Sequence, residues 1–517
     1  MWNYVTNKIQ SNNILSPHRA YLCIYPPLSF KSKNMKTPIF ISDVVIIFCL
    51  ILLSSCARNP VTGRKQFVLM SEAQEIGMGK ASDPQVVAFF GLYTDPVLQK
   101  FITEKGKEMA AISHRPKLAY EFKIVDSPVI NAFATPGGYV YFTRGIMAHF
   151  NNEAEFTGVL GHEIGHITAR HSVIQQRNAM LGQIGMIAGV ILIPKLSEFV
   201  EPLSAGMQLA MMSFGRDAER QSDKLGVEYS SRIGYDAAEM AGFFKTLERQ
   251  EKASGGAKVP EFLSTHPSPE ERNVTVAKLA GEWKSKLKLT QARINRETYL
   301  KKIDGLILGE DPRQGFVENG VFYHPELKFL FPIPGEWKLQ NTPQQVQMAP
   351  KNGEALFLFT LAAGTSLEDA ANKTLQQNKL VLVESKKESI NGLAALLMIA
   401  DQKQKQEQGT IRVLSALIQL DGKIYSLMGI SELSKFATYE PALLFTVRNF
   451  KELKEVEKIN RKPDLIRIKA LPQQMTLQAA FQHFNMPADR FEELAILNGM
   501  LLNEQLSKST LIKVIGK

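Results

Sequence analysis

The chain has 517 residues, 44% hydrophobic and 22% charged, a length that predicts two or three domains with cores of their own. Its formal net charge is +10, and residues 1–55 contribute five basic residues against one acidic residue. The modest positive charge of the remainder, together with the lack of any nucleic-acid recognition motif, excludes nucleic acid as an expected partner.

The N-terminal segment resembles a bacterial lipoprotein signal peptide. Lys36 precedes an apolar run from Val44 to Leu53, and this run ends in the sequence Leu53-Ser54-Ser55-Cys56. A transmembrane helix would need about 20 apolar residues, so this run is too short to span a membrane. We expect residues 1–55, an upstream extension plus signal peptide, to be removed and Cys56 to be lipidated. Ala57 after the cysteine resembles lipoproteins sorted to the outer membrane, facing the periplasm.

An H-E-x-x-H sequence runs from His162 to His166. On a helix these two histidines project from one face, one turn apart, so both imidazoles can bind one Zn²⁺. Glu163 lies about 100° round the helix and can reach a metal-bound water. His171 lies about 140° round the same helix from His166, so we predict that it faces elsewhere and is structural.

A third ligand is expected downstream, because a catalytic zinc site needs three protein ligands and an open position. Glu219 and Asp223 are spaced i, i+4 in a segment of good helix formers, so both carboxylates share a face. Glu219 could bind the metal while Asp223 accepts a hydrogen bond from a ligand imidazole. A charged helix face is usually only solvated, and it is the upstream motif that favours the ligand interpretation.

Four sequence elements, in this order, resemble the zinc metallopeptidases that include HtpX and the β-barrel assembly-enhancing protease. They are Asn131 to Tyr141, His162 to His166, Arg216 to Gly226 (similar to S-R-x-x-E-x-x-A-D-x-x-G) and Thr265-His266-Pro267. The chain departs from the pattern at two small residues, Gly215 and Ser222. The resemblance covers residues 57 to 290.

The resemblance implies one Zn²⁺ per chain, held by His162, His166 and Glu219, with Glu163 as general base. The chemistry of the residue types agrees: zinc lowers the pKa of its bound water, Glu163 takes the proton, and hydroxide attacks the scissile carbonyl. Glu163 then passes the proton to the leaving amine. At His266 the resemblance implies a fourth zinc ligand that holds the enzyme latent, whereas a solvated loop residue is the alternative.

The resemblance also implies a substrate-binding edge strand made of Asn131, Ala132, Phe133 and Ala134. An edge strand can pair with an extended substrate backbone, which favours unfolded chains over folded ones. The sequence Pro136-Gly137-Gly138 predicts a turn that ends this pairing.

From residue 320 the composition changes, and residues 320–452 predict an α/β accessory domain. Its predicted elements are strands at Phe329–Pro334, Leu356–Phe359 and Leu380–Val383, helices at Ser366–Gln377 and Tyr439–Val447, and a hairpin of Ile411–Leu420 and Ile424–Ile430 across Asp421-Gly422. This order resembles the Mog1/PsbP-type α/β sandwich.

Residues 464–517 predict a small βααβ unit that is similar to LysM modules, which bind peptidoglycan glycans. The strands are expected at Leu465–Ala470 and Leu511–Ile515, around two short helices. The unit departs from these modules at their usual G-D-T turn, which is replaced by Pro472 to Thr476.

The sequence therefore predicts an α+β protein with a mainly helical, gluzincin-like protease domain over residues 56–305. We expect a lipid-anchored, periplasm-facing zinc endopeptidase that degrades misfolded or misassembled envelope proteins. The competing class is a chaperone-like lipoprotein that binds unfolded outer-membrane polypeptides without cleaving them. The expected partners are unfolded polypeptides, the membrane through the lipid anchor, the outer-membrane assembly machinery and peptidoglycan.

Overall fold

The computed structural model describes residues 56–67, 70–181, 211–253, 261–266, 269–403 and 409–517. Residues 1–55, which carry the signal-peptide prediction, and Pro267 of the T-H-P sequence lie outside the described residues. Within the described ranges, no helix is both long enough and apolar enough to cross a membrane.

The first part of the described chain, up to residue 308, is mainly helical. Its helices are α1 (Glu72–Phe90), α2 (Pro96–Ala110), α3 (Arg144–His149), α4 (Glu153–Thr168), α5 (His171–Leu181), α6 (Arg216–Arg232), α7 (Glu239–Ala253), α8 (Glu261–Thr265), α9 (Pro269–Lys286) and α10 (Arg296–Lys302). Its strands are β1 (Cys56–Arg58), β2 (Lys65–Phe67), β3 (Glu121–Val125), β4 (Ala132–Thr135), β5 (Tyr139–Thr143) and β6 (Ile307–Leu308).

Strands β3, β5 and β4 form a small sheet in that order, so β4 lies at an edge. Strand β5 is parallel to β3 and antiparallel to β4, with Phe133 opposite Tyr141. The predicted turn is confirmed: Gly137 and Gly138 have φ values of 83° and 105°. A Cβ atom at Gly138 would also lie 2.5 Å from the carbonyl oxygen of Ala119, so this turn requires glycine.

Helices α4 and α6 pack closely, which brings the two predicted metal-binding segments together. Helix α4 begins at the N-cap Asn152, whose side-chain oxygen accepts a hydrogen bond from the Glu155 amide at 2.8 Å. A Cβ atom at Gly161 would lie 2.9 Å from Cα of Gly226, so only small residues allow this approach of the two backbones.

Residues 316–452 form an antiparallel region with hydrophobic clusters separate from that of the helical part. Its strands are β7 (Phe316–Glu318), β8 (Val321–His324), β9 (Phe329–Pro332), β10 (Lys338–Asn341), β11 (Val346–Ala349), β12 (Ala355–Leu361), β13 (Val381–Ile390), β14 (Leu393–Lys403), β15 (Thr410–Leu420), β16 (Lys423–Glu432) and β17 (Lys451–Glu452). Its helices are α11 (Leu367–Gln377), α12 (Leu433–Arg448) and, just beyond, α13 (Val456–Ile459). Two sheets have the orders β10-β11-β12-β16-β15-β14-β13 and β17-β9-β8-β7.

The elements predicted for this region are confirmed, with shifted bounds. The hairpin turn at Asp421-Gly422 has φ values of 49° and 71°, the left-handed conformation that a two-residue hairpin turn favours. Among the predicted elements the bounds of β13 differ most, because this strand continues to Ile390 in pairing with β14, a strand that was not predicted. Alternation of apolar residues is absent there, since the strand is exposed for most of its length.

The C-terminal residues form the predicted βααβ order. The elements are β18 (Asp464–Ala470), β19 (Met475–Thr476), α14 (Leu477–His483), α15 (Phe491–Leu497), β20 (Gln505–Leu506) and β21 (Leu511–Gly516). Strand β18 pairs antiparallel with β21 and also with β6 of the helical part. Buried residues such as Phe481, Leu494 and Val514 belong to the same hydrophobic cluster as the helices around α4.

Candidate metal centre

Helix α4 presents His162 and His166 to one point in the interior, as their spacing predicts. The two Nε2 atoms are 3.0 Å apart, and the residues are 0% and 1% exposed. On the far side of its ring, Nδ1 of His162 lies 2.9 Å from Oδ1 of Asp223. An Nδ1–H of His162 that donates to Asp223 leaves the Nε2 lone pair directed at the neighbouring histidine.

Helix α6 supplies the carboxylate predicted as third ligand. Glu219 lies with its Oε2 3.5 Å from Nε2 of His162 and its Oε1 3.4 Å from Nε2 of His166. Burial alone would raise the pKa of Glu219, but the surrounding His266, His166 and His162 hold it well below its usual range. Glu219 is therefore a carboxylate in this cluster, the form that binds a metal.

His266, just beyond α8, joins the same cluster. Its Nδ1 lies 3.0 Å from Oε1 of Glu219 and 3.3 Å from Nε2 of His162, and the residue is 1% exposed. Burial would lower the pKa of His266, yet the carboxylates of Glu219 and Glu163 raise it. The buried position excludes a solvated loop residue, while its role as a zinc ligand or switch stays a prediction.

The four side chains fit a zinc ion. One donor atom from each of His162, His166, Glu219 and His266 lies within 4.8 Å of all the others. The two Nε2 atoms on α4 face each other, which a cation between them would stabilise. Imidazole nitrogen and carboxylate oxygen are ligands that zinc accepts in four-coordinate sites.

Glu163 is the buried group beside this cluster. Neither of its carboxylate oxygens has a hydrogen-bond partner among the described residues, and Oε1 lies 3.6 Å from Nε2 of His266. Burial raises the pKa of Glu163. A buried carboxylate without a partner costs free energy, so its retention here indicates chemistry rather than stability.

Arg272, on α9, completes the support of the cluster, and sequence reasoning missed it. Its guanidinium donates to both oxygens of Asp223, at 2.7 and 2.9 Å, and to the carbonyl oxygen of His266 at 3.1 Å. This arrangement orients Asp223 towards His162, as is usual for groups around metal-binding histidines. Helical spacing around His162 could not reveal it, because Arg272 comes from a separate helix.

The prediction that His171 faces elsewhere than His166 was wrong, although His171 is not one of the four residues of the metal cluster. Helix α4 ends at Thr168, and Arg170 has a left-handed φ of 60°, so His171 begins a new helix in another direction. Its Nδ1 lies 3.1 Å from Nδ1 of His166, and its Nε2 lies 3.0 Å from Oε1 of Gln221. Burial lowers the pKa of His171 to about 4, so the neutral ring can accept from His166 at neutral pH.

The predicted substrate strand lies beside the cluster. Asn131 to Ala134 are all buried, and the segment that carries His266 docks at their start, where the Phe262 amide donates to the carbonyl oxygen of Ile130 at 3.1 Å. The Phe262 ring is also 4.6 Å from that of His266. Cys56, the predicted lipidation site, is distant in sequence from the metal cluster. It starts β1, where its backbone pairs with that of Phe67.

The segment from residue 96 to residue 280, which contains the whole cluster, matches the family model described as Peptidase family M48. Residues 96–280 are a peptidase family M48 segment. The family resemblance predicted from the sequence is thereby confirmed for this segment, and the family supports the predicted metallopeptidase class.

Two relatives show how far the similarity of the chain extends beyond the M48 segment. It is 27% identical over 325 residues to the "Beta-barrel assembly-enhancing protease" of Escherichia coli O157:H7, covering 61% of this chain and 62% of the relative. It is 29% identical over 184 residues to the "Mitochondrial metalloendopeptidase OMA1" of Arabidopsis thaliana, covering 35% and 36%. The chain thus spans less than two thirds of either relative.

Among solved structures, the cyanobacterial PsbP of Synechocystis sp. PCC 6803 matches 26% of this chain and 91% of its own, at 11% identity and a TM-score of 0.22. The Mog1/PsbP-type resemblance of residues 320–452 stays a prediction, as do the LysM-like resemblance and the domain boundaries.

Proposed function

We propose that this chain is a zinc-dependent metalloendopeptidase with His162, His166 and Glu219 as zinc ligands and Glu163 as general base. The observation that carries the proposal is the convergence of these ligands beside a buried Glu163 whose oxygens have no hydrogen-bond partner among the described residues. The names of both relatives, a protease and a metalloendopeptidase, support the reaction class.

Zinc, when bound, supplies Lewis-acid chemistry at the scissile carbonyl. The protein groups do the rest. Glu163 accepts a proton from the attacking water at a carboxylate oxygen and delivers it to the leaving amide nitrogen. Asp223, held by Arg272, fixes His162 in the tautomer that keeps Nε2 available.

Substrate binding is assigned to β4, because it is the edge strand nearest the cluster. An extended polypeptide can add to this edge by backbone hydrogen bonds, which folded proteins do not offer. The proposed substrates are therefore unfolded or misassembled chains.

The proposed location is the periplasmic face of the outer membrane, with a lipid on Cys56. The signal-like sequence before Cys56 and Ala57 after it support this location. The name of the Escherichia coli relative supports envelope β-barrel proteins as substrates and the assembly machinery as a partner. Peptidoglycan is the proposed partner of residues 464–517.

The test of the proposed activity compares the zinc-loaded wild type with Glu163→Gln on an unfolded casein-like substrate. The amide cannot accept a proton, so we expect cleavage to fall by about 100-fold or more, with zinc content unchanged. The control is Glu282→Gln, an exposed carboxylate on α9, which should cleave like the wild type. Cleavage by Glu163→Gln within tenfold of wild type would show that another group is the base.

The same two proteins, compared in an aggregation assay and a cleavage assay, distinguish the competing class. A chaperone-like binder would prevent aggregation of unfolded outer-membrane polypeptides equally well with or without Glu163 and would cleave none of them. The lipid anchor is tested by fatty-acid labelling in cells, which Cys56→Ser should abolish.

A further inference from the structure

A cleft of about 830 Å³ lies next to the predicted substrate strand. One wall is formed by Phe89 and Phe90 at the end of α1 and by residues 126–129, which lead into β4. The opposite wall comes from residues 310–317, which lead into the antiparallel region of residues 316–452, and from residues 339–343 within that region. None of the residues assigned to the metal cluster lines this cleft.

The cleft continues the edge of β4. Val129 precedes Ile130, whose carbonyl oxygen binds α8, and the Phe90 ring lies 5.7 Å from that of Phe133 in the middle of β4. Glu261 and Ser264, on the helix just before His266, also line the cleft. An extended chain paired with β4 would therefore run directly into it.

The apolar part of the lining comes from both walls. Phe89, Phe90 and Met211 pack in one cluster with Phe133. Across the cleft, the Phe316 ring stacks on Arg461 at 4.3 Å and Val317 is 50% exposed. Such surfaces suit apolar side chains of an unfolded polypeptide.

The charge left uncompensated in the cleft is negative. The lining arginines are paired, Arg144 with Asp126 and Arg461 with Glu318. Glu261 is partly buried and has no ion pair with any described residue; burial is the cause that raises its pKa. Exposed Glu310 likewise has no ion-pair partner in the described ranges. A cation brought in by a ligand would relieve the unpaired Glu261.

We propose that this cleft is a substrate subsite that takes a lysine or arginine flanked by apolar residues, with Glu261 as the group that selects the basic side chain. This inference rests on the proposed function, since it takes the polypeptide substrate as the ligand. It also gives the antiparallel region of residues 316–452 a role, because Phe316 and Val317 form part of a wall that no residue of the M48 segment provides.

The test measures binding, so that it does not depend on cleavage. Two fluorescent peptides, identical except for a central Lys or Gln between apolar residues, are titrated against full-length zinc-loaded Glu163→Gln protein. A partly buried charge pair contributes about 1 kcal/mol, so we expect the Lys peptide to bind about fivefold more tightly. Adding Glu261→Gln should abolish this preference, whereas adding Glu282→Gln should leave it intact.

A second pair of variants tests the accessory wall. Val317→Asn should weaken binding of both peptides, and Val381→Asn, at a comparably exposed valine on β13, should not. Thermal unfolding checks that each variant is folded. Equal affinity of Glu163→Gln for the two peptides, or a Lys preference that survives Glu261→Gln, would overturn the subsite. If the wild type binds the Lys peptide more tightly but cleaves neither peptide, the result would refute the proposed function and leave the subsite standing.

Discussion

Two of the places where the described part of the chain buries charge differ in how their charged groups are satisfied. In the metal cluster, both oxygens of Glu163 and Oε2 of Glu219 have no hydrogen-bond partner among the described residues. At Lys513, on β21, the buried ammonium donates to three carbonyl oxygens, those of Ala148, Phe150 and Leu497, at 2.7 to 2.9 Å.

The difference separates a site for chemistry from a site for folding. A buried lysine has three donors, and all three are satisfied here, which compensates part of the cost of burial. Its pKa is still lowered, chiefly by burial. The three bonds connect the C-terminal unit to the chain just before α4, so Lys513 holds the two together. Burial of a charge alone is therefore not a sign of function, whereas an unsatisfied buried carboxylate is.

The sharpest test of this comparison removes a proposed zinc ligand from the metal cluster. Glu219→Ala should lower zinc affinity by about two to three orders of magnitude, if roughly 10–16 kcal/mol of zinc binding is shared among four ligands. The variant also loses the contacts of this carboxylate with Nδ1 of His266 at 3.0 Å and with the Arg272 guanidinium at 3.3 Å, so thermal unfolding of the metal-free variant is the control for loss of structure. Full zinc occupancy of the variant in competition with a chelator would remove Glu219 from the ligand set.

The matched test removes the satisfied charge. Lys513→Met keeps the volume of the side chain but leaves three buried carbonyl oxygens without their donor, so we expect a loss of about 3 kcal/mol of unfolding free energy. Denaturant unfolding measures this, with exposed Lys508→Met as the control. A variant as stable as the wild type would mean that Lys513 is retained for function and would break the comparison.

A smaller effect is expected at His171, a buried residue that contacts one of the proposed zinc ligands. His171→Ala removes the group that contacts Nδ1 of His166, and such changes around a metal ligand typically cost about 10- to 100-fold in affinity. Zinc titration of the variant, beside exposed His483→Ala, gives the result. Unchanged affinity would make His171 a packing residue after all.

The smallest effect, and the only gain, is expected at His266. If His266 occupies the open zinc position, His266→Ala should raise basal cleavage of casein several-fold while zinc is retained. His162→Ala should do the opposite. A rate at or below that of wild type, at equal zinc content, would show that His266 positions Glu219 or Phe262 instead of closing the site.

Some features of the site follow from the sequence because their partners lie within one helical turn. The i, i+4 spacing places His162 with His166 and Glu219 with Asp223, whichever way the rest of the chain folds. The glycine turn before β5 and the Asp421-Gly422 hairpin are local in the same way, because φ is set by a single residue type.

Other features depend on packing and leave no periodic signal. Arg272 reaches Asp223 from a third helix, and Lys513 reaches Phe150 across 363 residues. His171 was misplaced because its prediction extended α4 past Arg170, where the backbone turns. The cleft at Glu261 exists only because two distant parts of the chain face each other.

The sequence by itself determined the local chemistry of this protein: two histidines and a glutamate on one helix, and two carboxylates on another. Only the tertiary structure decided which buried charges are satisfied and which are left open. The physical reason is that spacing along a helix is set by the backbone, whereas hydrogen-bond satisfaction depends on groups that close packing brings from elsewhere.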